Sequence, residues 1–250
     1  MDNAILIGLS RQSAMMRQMS VIANNLANMN TTGYKSASML FDEFVMPTAS
    51  EASPDKSLSF VQDYGQFRNV ADGEMQQTGN PLDVAISGEG FFKIQTPQGV
   101  RYTRDGHFQL DSTGQLVTQD GDPVLTDSGS PITFSSDESQ ITIARDGTIT
   151  TTRDGTATSE QVRGKLGLVN FANAQDMKSE AGNLLSTTQA EQPVTSVRVL
   201  QGSIEGSNVK PIIEMTNMMD VMRSYESAQK LLDAADDMRH QAISQIGGTA

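Results

Sequence analysis

The sequence contains no cysteine and no tryptophan, and aromatic residues make up only 5% of its 250 positions. Without thiols there are no disulfides, no thiolate metal sites and no cysteine nucleophile, and such a chain suits an oxidising compartment. Positive charge is also scarce: 18 Lys and Arg face 30 Asp and Glu, a formal charge of -12. That balance works against nucleic acid, whose binding rests on neutralising phosphates, and against an anionic membrane surface. No run approaches the ~18 consecutive apolar residues of a membrane span, so no membrane insertion is expected. At the start, "MDN" puts an acid before the apolar "AILIGL", where a secretory leader needs Lys or Arg. Any export would then use a route that reads something other than a cleaved leader. With 37% hydrophobic residues the supply for a single compact core is thin, and the length permits one large unit or two smaller ones.

Familiar catalytic constellations are absent as well. The two histidines, His107 and His240, are far apart and read as surface residues. Neither H-E-x-x-H nor G-x-S-x-G occurs. "GEGFFK" at Gly88–Lys93 imitates half of a dinucleotide loop, but a strand follows it where a helix N-terminus would hold a pyrophosphate. "DGD" at 120–122 falls short of the alternating oxygen ligands of a calcium loop and reads as a turn. A glycan hydrolase would need a positioned carboxylate pair, which no motif marks. No catalytic, metal or cofactor site is therefore expected.

What the chain does have is a ladder at each end. Ile5, Leu9, Gln12, Met16, Met19, Ala23 and Leu26 step by fours and threes, the spacing of a heptad seam. The spacing predicts a helix over 4–28, ~37 Å long. It should stop in "NTTG", where Gly33 is free to take positive φ. At the other end Ile212, Met215, Met219, Met222, Tyr225, Gln229 and Leu232 repeat the pattern. Asp236 and Arg239 then interrupt it before Ile243 and Ile246. Pro211 fits only the first turn of a helix, and a helix over 209–246 would run on the order of 55 Å. That length points to a coiled coil or helical array. Methionine is frequent, 14 residues, and Met215, Met218, Met219 and Met222 cluster on the second helix. Met adapts to non-identical neighbours, so the ladders are expected to meet each other and the same helices of neighbouring subunits.

The middle differs in texture. Short strand-like runs such as "DVAIS", "FFKIQT", "ITIA" and "KLGLVNF" alternate with Asp105-Gly106, Thr113-Gly114, Asp120-Gly121, Asp146-Gly147 and Asp154-Gly155. Aspartate-glycine between alternating segments is a hairpin signal. The expected architecture is α+β. Terminal helices at 1–34 and 202–250 form a coiled-coil-like axial domain, 35–83 is an extended arm, and 84–201 is an all-β domain of hairpins. Within the arm, Phe41, Phe44, Val45 and Met46 make a small apolar cluster, "PTASEASPDKS" reads as an exposed loop, and Phe60–Gln66 as a strand. A carbohydrate-binding β-module would account for the middle but not for the paired ends.

Four blocks give the sequence a family resemblance. They are "NNLANMNTTGYK" at 24–35, "TGNPLDVAISGEGFFKI" at 78–94, "YTRDGHFQLDSTGQLVTQDGDPVL" at 102–125 and "GSIEGSNVKPIIEMTNMMDVMRSYE" at 202–226. In this order they resemble the axial proteins of the bacterial flagellum, the rod and hook family. The resemblance implies a periplasmic structural subunit of the flagellar basal body and no enzyme. It implies export, unfolded, through the flagellar type III apparatus without leader cleavage, and helices lying along the rod axis around a channel. Its implied partners are copies of itself, other rod proteins and adjacent basal-body components. The opening "MDNAI", the length and the small β-domain look most like a proximal-rod member, with a distal-rod member as the alternative. Tyr34 departs from the family, which commonly has Phe there.

The resemblance and the ladders together nominate the assembly interface. On the first helix it comprises Ile5, Leu9, Met16, Met19, Asn24, Asn25, Leu26 and Asn28, followed by Gly33. From the C-terminal block come Ser207, Asn208 and Val209, and from its helix Ile212, Met215, Met219, Met222, Tyr225 and Leu232. The lead-in motif of the β-domain is Leu82, Asp83, Gly88, Gly90, Phe91 and Phe92. The crowded amides of Asn24, Asn25 and Asn28 are expected to bond sideways to neighbouring backbones and fix register, while Asn28 and Asn30 also cap the helix end.

Overall fold

A computed structural model describes residues 2–47, 57–135, 138–153, 160–194 and 197–247. Two helices, α1 (Asp2–Ala27) and α2 (Pro211–Gly247), flank a β-rich region, so the chain is α+β. It divides into two compact units. One contains Met1–Ala27, Ala37–Arg68 and Lys210–Ala250; the other contains Asn28–Ser36 and Asn69–Val209.

Helix α1 is followed by a turn in which the Thr31 backbone N–H donates to the Asn28 carbonyl at 3.1 Å and the Thr31 hydroxyl to Asn28 Oδ1. At the other end, α2 begins at Pro211, which has no N–H to lose there. The stretch read as an extended arm holds two long strands, β1 (Ala37–Pro47) and β2 (Ser57–Arg68). They pair antiparallel from Ala37↔Arg68 to Pro47↔Ser57. The register slips between Leu40 and Phe41, leaving Tyr64 as the extra residue beside Gly65, whose φ is +147°. Each strand satisfies the other's backbone groups, which an isolated extended arm would leave to water. The loop expected at 47–57 lies almost wholly outside the described residues.

Among the described residues, the regular structure of the second unit is β apart from two short 3-10 turns. Its largest sheet has six strands, centred on the hairpin Phe91–Thr96 with Gly99–Thr103 and on Leu168–Asn170. Glu138–Ile143, Thr148–Arg153 and Glu160–Lys165 make a three-stranded sheet. Distant segments are joined by two further pairs: Val84–Ser87 with Arg198–Gln201, and Met75–Gln77 with Ser203–Glu205. The core gathers Val84, Ile86, Phe92, Ile94, Phe108 and Ile149 among others, and a second cluster holds Phe91, Tyr102 and Phe171. Glycine serves two ends in the Asp-Gly turns. Gly121 and Gly147 take φ of +89° and +88°, whereas at Gly106 a Cβ would fall 1.6 Å from the Val84 carbonyl oxygen. Asp154-Gly155 lies outside the described residues.

The units divide inside the boundaries expected from the sequence, at Ala27 and Lys210 and not at 34 and 202. The reason is local bonding. The Gly33 N–H donates to the Glu205 carbonyl at 2.7 Å, and the Asn208 N–H to the Tyr34 carbonyl at 3.3 Å. These bonds hold 28–36 and 203–209 within the β unit.

Candidate assembly surface

Within the helical unit α1 and α2 run antiparallel. A Cβ at Gly8 would fall 2.5 Å from Leu232 Cδ2, and Gln12 Nε2 donates to Gln229 Oε1 at 2.5 Å. Further along, Met15, Ile22, Val221 and Ala228 form the buried seam, flanked by the half-buried Met19, Met218 and Tyr225. Both pairs of buried positions are seven residues apart, as a heptad seam requires.

This seam coincides with the ladder read from the sequence only in part, through Gln12, Met19, Tyr225, Gln229 and Leu232. Met19, Leu26, Tyr225 and Leu232 are half-buried, but Leu9 and Met16 are each 58% exposed. On α2, Ile212, Met215, Met219 and Met222 are 81%, 48%, 51% and 46% exposed. At ~100° per residue their stripe lies about 130° around the helix from Val221, Tyr225 and Ala228. Each helix therefore carries two apolar faces, and pairing within the unit uses only one. The Ile5 side chain lies outside the described residues.

The asparagine-rich end of α1 works locally. Asn25 is 1% exposed. Its Nδ2 donates to the Ala37 carbonyl at 2.8 Å and its Oδ1 accepts from the Ala37 N–H at 3.0 Å. One amide thus satisfies both backbone groups of the residue that opens β1, where a sideways bond to a neighbouring subunit was expected. Asn28 accepts from Thr31, as a helix-end residue does, and Asn24 is exposed.

In the β unit the remaining signature residues form a clasp around Glu205, which is 1% exposed. Its Oε1 accepts from Lys35 Nζ at 2.5 Å and from the Gly73 N–H at 2.9 Å, and its Oε2 from Arg104 Nη1 at 3.3 Å. Burial lowers the Lys35 pKa, and the hydrogen bond that Lys35 donates to Glu205 opposes that shift. Arg104 also donates from Nη2 to the Gly88 carbonyl at 2.6 Å. Gly33 has φ +67°, and a Cβ there would fall 2.5 Å from the Arg104 carbonyl carbon. Asn208 closes the clasp: Oδ1 accepts from the Ser36 N–H at 2.7 Å, and Nδ2 donates to the Asn69 carbonyl at 2.8 Å. Ser207 Oγ accepts from the N–H of the buried Val209.

The lead-in motif supplies packing and turns. Leu82 lies against the main core, and Asp83, 2% exposed, accepts from Asn80 Nδ2 and contacts His107 Nδ1 at 2.8 Å. The Gly88 N–H donates to Asp72 Oδ2. Gly90 packs so that a Cβ would meet Val194 and Val197 at 3.2 and 3.3 Å. As strand neighbours, Phe91 and Phe92 face opposite ways. Phe92 packs edge-on against Phe108 at 5.2 Å, and Phe91 belongs to the second cluster.

Sequence reasoning missed Met15, Ile22, Val221 and Ala228. Their seven-residue spacing was available as a signal, but the larger methionine ladder overlay it. It also missed Lys35, Arg104 and Glu205, which meet from three distant segments and leave no local pattern.

These features define an α+β protein whose chain ends close one unit and whose middle builds the other. Family models match it at both ends and in the middle. A flagellar basal body rod protein model covers residues 5–35, a flagellar hook protein FlgE/F/G D1 domain model covers 85–151, and a FlgEFG C-terminal model covers 200–245. The flagellar basal-body rod protein FlgF of Caulobacter vibrioides is 40% identical, with 99% of each chain covered. FlgF of Mesorhizobium japonicum is 32% identical over the same shares. The rod protein FlgG of Buchnera aphidicola (Acyrthosiphon pisum) is 36% identical over 91% of this chain and 93% of that protein. The chain belongs to the flagellar basal-body rod protein family.

Proposed function

We propose that this chain is a structural subunit of the flagellar basal-body rod, of the proximal, FlgF-like type. The observation that carries the reading is the second apolar stripe on each terminal helix: Leu6, Leu9 and Met16 on α1, and Ile212 to Met222 on α2. Exposed apolar surface of this extent marks an interaction site, and each Å² that a neighbour covers is worth ~25 cal/mol. In the rod, coiled-coil-like packing of these helices with copies of the chain and with other rod proteins would line the export channel. Torque would pass through packed helices and the sides of the β unit, with no bond chemistry. End-to-end coverage against FlgF relatives favours the proximal rod over the distal rod. Passage through the flagellar export apparatus and a periplasmic position belong to the same proposal.

The test is electron cryo-tomography of basal bodies from cells lacking the gene, complemented with the full chain or with a chain lacking 211–247. The full chain should restore proximal-rod density and swimming, and the shortened chain neither. Normal rods built with the shortened chain would refute the reading.

A further inference from the structure

We infer that the outward face of α2 in one copy seats in a groove of the helical unit in the next, the two α2 helices running in the same direction; this rests on the rod-subunit reading and specifies its contact. The groove has two parts. An apolar part of about 430 Å³ is walled by Ala14 and Met15 of α1, Phe41 and Val61 of the hairpin, and Val221 of α2, with Asp220 at its rim. A polar part of about 230 Å³ is lined by Arg223, Ser227 and Leu231 of α2. Arg11 and Ser224 line both parts, which are therefore adjacent. Arg223 lies 3.9 Å from the Asp220 carboxylate, with both side chains mostly exposed, a contact worth little in water. The groove therefore offers apolar walls with Arg11 beside them and Arg223 beyond.

The same chain carries the complement. Down the outward face of α2, Ile212, Met215, Met219 and Met222 are followed by Glu226, Asp233 and Asp237, all exposed. At ~100° per residue Glu226 falls in line with the methionines and the two aspartates stay within about 20° of it. Lys230 sits some 40° to one flank. This face reads apolar, then acidic.

Direction follows from order. Along α2 toward its C-terminus the groove passes from the apolar part at Val221 to the arginine-lined part ending at Leu231. The outward face passes from apolar to acidic in the same direction. The two orders match only if the docking helix runs parallel to the α2 that lines the groove. A two-fold axis lying across the helices would set identical helices antiparallel and bring Glu226 and Asp233 onto the apolar walls. Parallel docking of unlike surfaces is a heterologous contact, which propagates into an open helical array.

The absence of cysteine makes cross-linking free of background. Chains carrying Met219→Cys and chains carrying Val61→Cys would be co-expressed in cells lacking the native gene, and isolated basal bodies oxidised. A disulfide-linked dimer is expected when both chains are present and not with either alone. Linkage of Met219→Cys to itself would show face-to-face pairing of the stripes and overturn the inference. So would no linkage in basal bodies that contain both chains; the chains' absence from basal bodies would instead sink the rod reading. As a second measurement, Arg11→Glu with Arg223→Glu should lower incorporation about tenfold. Co-expressed Asp233→Lys with Asp237→Lys should restore it, and failure of that rescue by monomers with unaltered helix content would also overturn the inference.

Discussion

Glu205 shows how much one buried carboxylate can organise. Its two oxygens receive Lys35, Arg104 and a backbone N–H while its own carbonyl receives Gly33. Removing one member leaves the others charged and buried, so Glu205→Ala should destabilise the β unit by ~3–5 kcal/mol in urea unfolding. Breaking the solvent-facing Arg101–Glu180 pair should cost ~1 kcal/mol or less. A cost at Glu205 no larger than at Glu180 would show that the clasp adds nothing. Asp111 and Asp146 act at the surface. The backbone N–H of Gln115, with the Thr113 hydroxyl, holds the Asp111 carboxyl below its ordinary 3.8, and the Thr148 backbone does the same for Asp146. Folded values below unfolded ones mean a contribution complete above the unfolded pKa and lost as pH falls through the folded one. The urea midpoint should therefore fall on acidification below about pH 4, and fall less in an Asp111→Ala, Asp146→Ala chain. An unchanged acid limb in that chain would contradict the assignment.

At the scale of elements, the joint between α1 and β1 depends on Asn25. Asn25→Ala leaves the N–H and carbonyl of Ala37 without that amide, and should cost ~1–3 kcal/mol, with faster amide exchange at Ala37. Exchange at Ala37 unchanged by the substitution would show that the amide is dispensable. Helix ends were legible because they depend on single residues: Gly33 takes the positive φ expected of it, and Pro211 starts α2. The β1–β2 hairpin was less legible. Apolar residues fall on both of its faces, with Leu40, Phe41, Phe44 and Val45 all exposed, so no clean alternation marks a buried side. The slip at Tyr64 then shifts the phase of one strand against the other.

For the molecule as a whole, apolar burial is unevenly shared. The buried helical seam consists of the four residues Met15, Ile22, Val221 and Ala228, whereas the main core of the β unit has fourteen. Helices with so small a seam draw little stability from tertiary packing, which supplies most helical stability in proteins. In hydrogen exchange on the full chain in dilute solution, 2–27 and 211–247 should exchange well before Val84–Ile86 and Phe91–Ile94, and become protected on assembly. Residues 28–34 and 203–209, assigned from the sequence to the axial ends, should follow the β unit to which they are bonded, as should 35–36. Terminal helices as protected in the monomer as the β core would contradict this account.

Heptad spacing, turn chemistry and helix stops operate over a few residues, so the sequence alone determined that the chain is α+β, that both ends are helical and that Asp-Gly turns punctuate the middle. Two matters were left to the tertiary structure: which of two apolar faces each helix turns inward, and which charges meet at Glu205. Periodicity makes a face apolar without naming its partner. A buried charge finds its counter-charges across more than a hundred residues only after the chain has closed on itself.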